Sequence, residues 1–341
     1  MGTRPLADDT KQAALDALQK HGSASAAYKA LGLPKTTFEH HLREARKAGM
    51  APTVEFPGFV TEGDEEEPID ELLDRIRKAS DRKIKAAEAR RWFPIKIHEE
   101  KPYGLLWFGD PHLGNGNQRL LDRHLTVARQ DGIYGANIGD TTDNFPWTGK
   151  LARLWAETEL SSKSERRLAS WFMFEAGVKW LVWLLGNHDA WNGGTEFYKM
   201  LGAHHVPVID WRAQFTIVHP NGSKVAVDAA HGRKGTSIYN PTHGTLRDAK
   251  FGEHADLFVS GHIHTFGLFR IEFPEKKTLT WLAQIAGYKS IDDFAWTKGF
   301  HPAEHGAAML AIIDPETAKV QCWEDPEEGA EYLSWLRGRA A

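Results

Sequence analysis

Apolar positions change their period along this chain, and the changes divide it. Between residues 10 and 21 they recur at Ala14, Leu15 and Leu18, a helical spacing. Gly22 ends that segment, and Ser23 or Ser25 can cap a second short helix running to Leu31. Gly32 supplies a turn, and Pro34 stands where a third helix begins, its missing N–H leaving nothing unpaired. The third helix runs to about Lys47, burying Phe38, Leu42 and Ala45, and Gly49 stops it. Residues 50–68 carry no period; Pro, Gly and the acids Glu62, Asp64, Glu65, Glu66 and Glu67 read as a solvated linker. From 69 to about 92 a helical stripe returns through Ile69, Leu72, Leu73, Ile76, Ser80, Ile84 and Ala87.

After residue 100 the pattern becomes short, nearly continuous apolar runs. These predict strands at 103–108, 133–138, 179–185, 215–218, 224–229, 257–260, 268–273, 280–286 and 308–313, with helices at 119–131 and 160–177. Early alternation followed mostly by strands suggests two packed sheets flanked by helices. The expected organisation is therefore a helical domain (1–49), an acidic linker (50–68), an amphipathic basic helix with a connector (69–100), and an α/β domain (101–341). There is no internal repeat.

Composition changes this picture little. With 341 residues, 41% hydrophobic content and 13 tryptophans, the chain can build a sizeable core; its net charge of −4 does not by itself announce a nucleic-acid partner. Local charge is more suggestive. The three short helices, with a glycine-containing turn before the third, resemble a helix-turn-helix unit. The outward face of the third would present Lys35, Thr36, Glu39, His40, Arg43 and Lys47 to phosphates or base edges. The competing reading is a helical module for protein interaction or assembly. The later part of the 69–92 helix is basic (Arg75, Arg77, Lys78, Arg82, Lys83, Lys85, Arg90, Arg91), which suits either a nucleic-acid backbone or, the favoured reading, a solvated face packed on the catalytic domain. The single cysteine, Cys322, excludes an internal disulfide and a cysteine-based zinc site. Residues 1–12 show no signal peptide, and the apolar run at 180–185 is too short to span a bilayer, so the expectation is a cytoplasmic protein without a membrane partner.

The candidate chemistry lies at the ends of the apolar runs. Five short motifs occur in order: Gly109-Asp110-Pro111-His112, Gly139-Asp140, Gly186-Asn187-His188-Asp189, His231-Gly232 and Gly261-His262-Ile263-His264. Hydrolysing a phosphate ester at neutral pH requires an activated water and relief of negative charge. Two divalent ions about 3.5–4 Å apart do both, with a bridging hydroxide as nucleophile. Holding two ions so close takes a shared carboxylate together with neutral imidazoles and amides, which is the mixture this chain offers. Any one motif is weak, since an Asp after a strand is usually a turn or cap residue and a lone His is usually structural. Five in series, each after a predicted strand, carry far more weight. Strand ends are also where open α/β folds build their sites.

The series resembles the calcineurin-like metallophosphoesterases, matching their Asp-x-His, Gly-Asp-x-x-Asp, Gly-Asn-His-Asp, His and Gly-His-x-His motifs over about residues 103–313. The resemblance implies a four-layer αββα sandwich, here preceded by the small all-α unit, with a dinuclear centre. It implies that Asp110, His112 and His264 hold one ion, that Asn187, His231 and His262 hold the other, and that Asp140 bridges them. It further implies that His188 contacts phosphate and protonates the leaving oxygen, oriented by Asp143. Protein serine/threonine phosphatases of this superfamily have Arg-Gly after that Asp; here Asn144-Phe145 follows, which argues against that activity and leaves Asn144 as a weaker substrate contact. Mixed nitrogen and oxygen ligation suits Mn²⁺, the first expectation, or Fe, Zn²⁺ or Ni²⁺.

Other features compete for attention. His301-Pro302-Ala303-Glu304-His305 matches the letters of an inverted zinc-peptidase motif, but Gly299, Pro302 and Gly306 argue for a loop. His204-His205 reads as a surface or packing pair, and His243, between two of the motifs, either lines the cleft or, the favoured reading, is structural. Trp147, Trp155 and Trp191 lie near the motifs in sequence and could form a stacking wall for a base or cover a sheet edge. The leading expectation is a metal-dependent phosphoesterase acting on a nucleic-acid or nucleotide ester, with DNA reached through the N-terminal helices; a phage or mobile-element setting would suit the pairing. The alternatives are a small-molecule phosphatase or phosphodiesterase whose N-terminal helices serve assembly, and a DNA-binding regulator with an inactive phosphoesterase domain. Oligomeric state is open.

Overall fold

The computed structural model describes residues 6–50, 68–89, 91–158, 160–289 and 305–339. By internal contacts the chain divides into two compact units, Met1–Lys78 and Ala79–Ala341. In the first, α1 (Asp8–His21), α2 (Ala24–Ala30) and α3 (Lys35–Lys47) enclose a small core of Ala14, Leu15, Ala17, Ala27, Phe38, Leu42 and Ala45. Gly22 ends α1 in the left-handed region at φ 67°, and the Ser23 hydroxyl accepts from the Ala26 N–H at 3.3 Å to start α2. Phe38 is the largest side chain in this core and is fully buried, so truncation to alanine would cost about 3–5 kcal/mol. A fourth helix, α4, spans Ile69–Ala89, and its stripe residues Ile69, Leu73, Ile76 and Ile84 are exposed.

The second unit is mixed α/β with two six-stranded mixed sheets. One sheet has the order β1-β6-β7-β8-β10-β9, formed by β1 (Phe93–Lys96), β6 (Arg212–Val218), β7 (Lys224–Ala230), β8 (Leu257–Ser260), β9 (Gly267–Phe273) and β10 (Thr278–Gln284). The other has the order β12-β11-β2-β3-β4-β5, formed by β2 (Tyr103–Phe108), β3 (Ile133–Asn137), β4 (Trp180–Leu185), β5 (Val208–Asp210), β11 (Ala308–Asp314) and β12 (Lys319–Trp323).

Alternation within each strand explains the layering. Leu105 and Trp107 of β2 share a core with Phe215, Val227, Val259 and Ala283 of the facing sheet. Leu106 and Phe108 point the other way, into a second core with Leu121 and Leu125 of α5 (Gln118–Ala128), Phe172 of α7 (Ser162–Phe174) and Leu333 of the C-terminal α11 (Pro326–Arg339). Because both faces of β2 are covered, all six of its residues are buried, and its sequence is apolar without a break. The facing sheet has its own outer core, where Phe258 and Leu282 meet Ala249 of α10 (His243–Phe251). This arrangement is an α/β sandwich, compatible with the fold expected above.

Several elements escaped the pattern: β1, β5, β12, α6 (Ala152–Glu157), the one-turn α8 (Asn187–Ala190), α9 (Gly194–Gly202), α10 and α11. β1 is a four-residue edge strand containing Pro94, a residue that edges tolerate and that breaks a strand signal. The start of α11 was marked by Asp325, whose side chain accepts from the N–H groups of Glu327 and Glu328. The acidic segment 51–67, and residues 290–304 with most of the His-x-x-Glu-His motif, lie outside the described residues.

Candidate metal centre

Five parallel-paired strands bring the motifs together. β2, β3 and β4 are neighbours in one sheet, β7 and β8 in the other, and each runs into its motif at its carboxyl end. The turn after β2 requires glycine: a Cβ on Gly109 would lie 1.8 Å from the Ala286 carbonyl oxygen. Backbone strain gathers here. Of the ten non-glycine residues with positive φ among the described residues, five are His112, Asp140, Asn144, His262 and His264. Each such conformation costs about 1–3 kcal/mol and persists only where surrounding contacts impose it.

Those contacts can be traced. The His262 N–H donates to Asp110 Oδ2 at 2.7 Å, and the Tyr288 N–H donates to the Asp110 carbonyl at 2.9 Å. The His188 N–H donates to Asp140 Oδ1 at 2.9 Å. Asp189, fully buried, accepts from the Thr141 N–H at 3.0 Å and the Gly186 N–H at 2.9 Å, clamping the loop after β4 to the loop after β3. Burial, then the nearby Asp140, pushes its carboxyl up to about 7.

Two groups of ligand atoms result. In the first, His264 Nε2 lies 3.1 Å from Asp110 Oδ2 and 3.3 Å from His112 Nε2. In the second, His231 Nε2 lies 3.2 Å from Asp140 Oδ2, Asn187 Oδ1 and His262 Nδ1 alike. Two imidazole nitrogens facing each other can share only one hydrogen, so such pairs converge lone pairs as ligands around a cation do. The outer nitrogens are fixed. His231 Nδ1 donates to the Ile138 carbonyl at 3.1 Å, and His112 Nδ1 meets Asp143 Oδ1 at 2.7 Å. Each arrangement aims Nε2 inward, the second-layer support typical of metal-binding histidines.

Within 4.8 Å fall the combinations Asp110-His112-His264 and Asp140-His231-His262, and a third, His112-Asp140-His188. These Asp and His groups, of which Asp110, His112, Asp140 and His231 are buried, are within ion-binding distance. The fit to a cation also has an independent sign: Asp110 Oδ1 is buried without a hydrogen-bond partner, a state that costs a carboxylate more than the roughly 1–3 kcal/mol of a neutral group. Electrostatics point the same way. Burial opposes charge on His231, yet Asp140 and Asp110 outweigh it and hold the imidazole up to about 9. Burial also opposes charge on Asp140 and Asp110, and the surrounding imidazoles hold both carboxyls below their ordinary range. Concentrated negative charge in this site thus favours a positive charge beside it.

His188 sits apart in character. Its Nδ1 donates to the Asp143 carbonyl oxygen at 2.5 Å, so Nε2 faces inward, 3.9 Å from Asp140 Oδ2. Its ring is packed against Trp191, His112 and Phe145, with centroids 4.4, 4.9 and 5.2 Å away. Burial pushes it down to about 4.

The structure places other expected residues differently. Asp143 meets His188 through its main chain, while its carboxylate holds His112, Asn115 and, at 3.4 Å, Lys289. Asn144 was expected at the substrate. Its amide hydrogens instead go to the His188 and Trp191 carbonyls at 2.8 and 2.7 Å, and its oxygen accepts from Asn192 at 3.1 Å, so the side chain holds loops together. Trp191 packs on His188 rather than forming a free wall, whereas Trp147 and Trp155 are exposed. His205 packs on Phe174, and His243 is exposed at the start of α10. On α3, Lys35 pairs with Glu39 at 3.8 Å, Lys47 with Glu44 at 2.9 Å, and Arg43 contacts His40 at 3.2 Å; Thr36 is exposed. Three contributors had no assigned role in the sequence. Asp189 and Lys289 are described above; Trp211 lies against His231 and His262 with centroids 5.1 and 5.9 Å away. Asp189 stood inside a recognised motif, but Trp211 and Lys289 carried no signal.

No protein-family profile matches the chain, and no curated protein matches it. Among solved structures it is similar to the protein of unknown function AQ665 from Aquifex aeolicus, at 17% identity and a TM-score of 0.25, covering 48% of this chain and 80% of that one. It is also similar to GAP50, the anchor in the inner membrane complex of Plasmodium, at 11% identity and a TM-score of 0.31, covering 69% of this chain and 95% of that one. Likenesses this distant carry no inference about chemistry. Among the described residues no helix is long and apolar enough to cross a membrane.

Proposed function

We propose that this chain is a dinuclear metal-dependent phosphoesterase of the calcineurin-like kind, acting on a phosphoester of nucleic acid or a nucleotide. One observation carries the reading: two adjoining sets of ligand atoms face inward, and one of them includes the buried Asp110, whose second carboxylate oxygen, Oδ1, no hydrogen bond satisfies. Asp110, His112 and His264 would hold one divalent cation, and Asn187, His231 and His262 the other, with Asp140 between them. Such ions supply an activated water and neutralise charge on the phosphoryl oxygens.

The remaining chemistry belongs to the chain. Asp143 and the Ile138 carbonyl keep His112 and His231 in the tautomers that present Nε2. The Asp143 carbonyl does the same for His188. A phosphoryl group beside His188 would bring negative charge into a site where burial alone disfavours protonation. That charge raises the proton affinity of Nε2, which then hydrogen-bonds a phosphoryl oxygen and passes its proton to the leaving oxygen. Trp191 and Phe145 hold the ring in place and keep water from its faces.

The test uses purified full-length protein with Mn²⁺ on a phosphomonoester, a small chromogenic phosphodiester, and single- and double-stranded DNA. Diester or DNA cleavage that is lost on chelation and restored by metal is the expected result. Cleavage of the monoester alone would refute a nucleic-acid substrate, and no cleavage with any divalent metal would refute the activity.

A further inference from the structure

An open groove of about 1060 Å³ lies beside the metal loops, lined by Trp147, Lys163, Arg166, Arg167, Trp171 and Asn192 among others. It adjoins the loops that carry His188 and His112. Asn192 donates to the Asn144 and Phe145 carbonyls at 2.9 and 3.1 Å, and the Phe145 ring packs on His188. On the other side, a Cβ on Gly114 would lie 2.1 Å from Leu160 Cδ1, so the loop following His112 runs along the groove wall that Leu160 forms.

Its lining is charged in one sense. Three cations from α7 face one acid, Glu175. Arg166 is part of the wall: its guanidinium lies 5.2 Å over the Phe197 ring and donates to the Asn192 carbonyl at 3.1 Å. Lys163 and Arg167 are exposed, and neither is paired with an acid among the described residues. Beside them Trp147 is 68% exposed, an unusual position for an indole with no face to cover.

We infer that this groove binds a single-stranded nucleic acid and leads one of its phosphodiesters to His188. Cations that follow a backbone, interleaved with exposed aromatic faces, are the two components of unpaired-strand recognition. A duplex would satisfy the cations but leave Trp147 unused, because its base faces are already stacked. An acidic peptide would likewise offer nothing to stack. The inference rests on the proposed phosphoesterase reading for its role, but binding is measured without turnover.

Anisotropy of a fluorescein-labelled oligothymidylate, with metal chelated, reads the groove directly in the full-length protein. Lys163→Glu with Arg167→Glu should weaken binding about tenfold or more. It should also lower the slope of log affinity against log salt by about 1.4, the release expected for two phosphate contacts on a single strand. Trp147→Ala should weaken binding about fivefold or more while leaving that slope unchanged. Unaltered melting temperatures establish that the variants fold. Wild-type affinity in both variants, or an equal loss for duplex and single strand in Trp147→Ala, would overturn the inference. Hydrolysis of the small diester by the wild-type protein reads the metal centre alone, so its failure would refute the activity and leave the groove measurement standing on its own.

Discussion

The loops at the ends of β2, β3, β4, β7 and β8 and the outward side of α3 both gather polar side chains, but they are built in opposite ways. In the loops Asp110 and His231 are wholly buried, the backbone is strained at five non-glycine positions, and hydrogen bonds such as His262 N–H to Asp110 tie one loop to another. On α3 Lys35 and Lys47 keep about two-thirds of their side-chain surface in water, and each pairs with a glutamate on its own helix. Such pairs are worth about 0.2–0.5 kcal/mol and are what any solvated helix acquires. Burying carboxylates together and holding residues in left-handed backbone, by contrast, works against folding. Groups that destabilise the fold and are still held by many contacts mark a site. Groups that merely suit a helix surface do not.

Replacing a central residue of the candidate metal site should produce the largest effect. Asp140→Asn removes a carboxylate that faces His231 and His188 at once. It should reduce phosphoester turnover about a thousandfold, near 4 kcal/mol of barrier. Wild-type protein should gain about 2.7 kcal/mol from Mn²⁺ at a hundred times its dissociation constant, and the variant much less. Calorimetry with and without metal, beside turnover, checks both. Full Mn²⁺ stabilisation in the variant would make the loops ordinary and erase the contrast with α3.

His188→Asn separates chemistry from ligation. Turnover should drop about a hundredfold or more while bound metal stays unchanged by elemental analysis. Because His188 also falls in one of the three ligand combinations, loss of metal would move it from acid to ligand.

How much of this was legible in the sequence follows from the same contrast. The residues of the candidate ligand groups stood out because each stands directly after an apolar run, so that local pattern and position in the fold coincide. Buried strands of the second unit were readable for the same reason. What escaped depends on partners far along the chain. Lys289 reaches the Asp143 carboxylate across 146 residues (289 − 143), and nothing near either one announces it. Asn144 looked like a substrate contact because of what calcineurin-like phosphatases, which the motifs resemble, have at that place; its actual hydrogen bonds, to His188 and Trp191, lie more than forty residues away. β1 escaped because Pro94 interrupts a short edge strand. The α3 face carried a pattern, but Lys35 and Lys47 each pair with a glutamate of the same helix, so geometry adds nothing to that reading.

Asp143→Asn probes the support beneath the ligands. An amide can still accept from His112 Nδ1, but it no longer offers a full charge to that imidazole or to Lys289. Metal affinity should fall about ten- to a hundredfold, the usual loss when such a second-layer partner is changed. Turnover at saturating metal should recover most of the wild-type value, because the Asp143 carbonyl that orients His188 is untouched. A metal titration of activity distinguishes the two. A turnover deficit that persists at saturation would place the carboxylate in the chemistry itself.

Lys47→Ala on α3 should give the smallest effect, and it tests the other side of the comparison. Its ion pair with Glu44, at 2.9 Å, is one turn long and mostly solvated. Removing it should change folding stability by no more than about 0.5 kcal/mol and leave metal binding untouched. The lysine charge is also among those expected to meet DNA phosphates. If α3 does face a duplex, the slope of log affinity against log salt should fall by about 0.9 for the one contact removed. An unchanged slope would assign α3 to assembly instead, because a phosphate contact cannot be removed without returning its counterion to the DNA. The stability measurement alone cannot decide this, since an exposed i,i+3 pair behaves the same way whether or not a ligand ever reaches it.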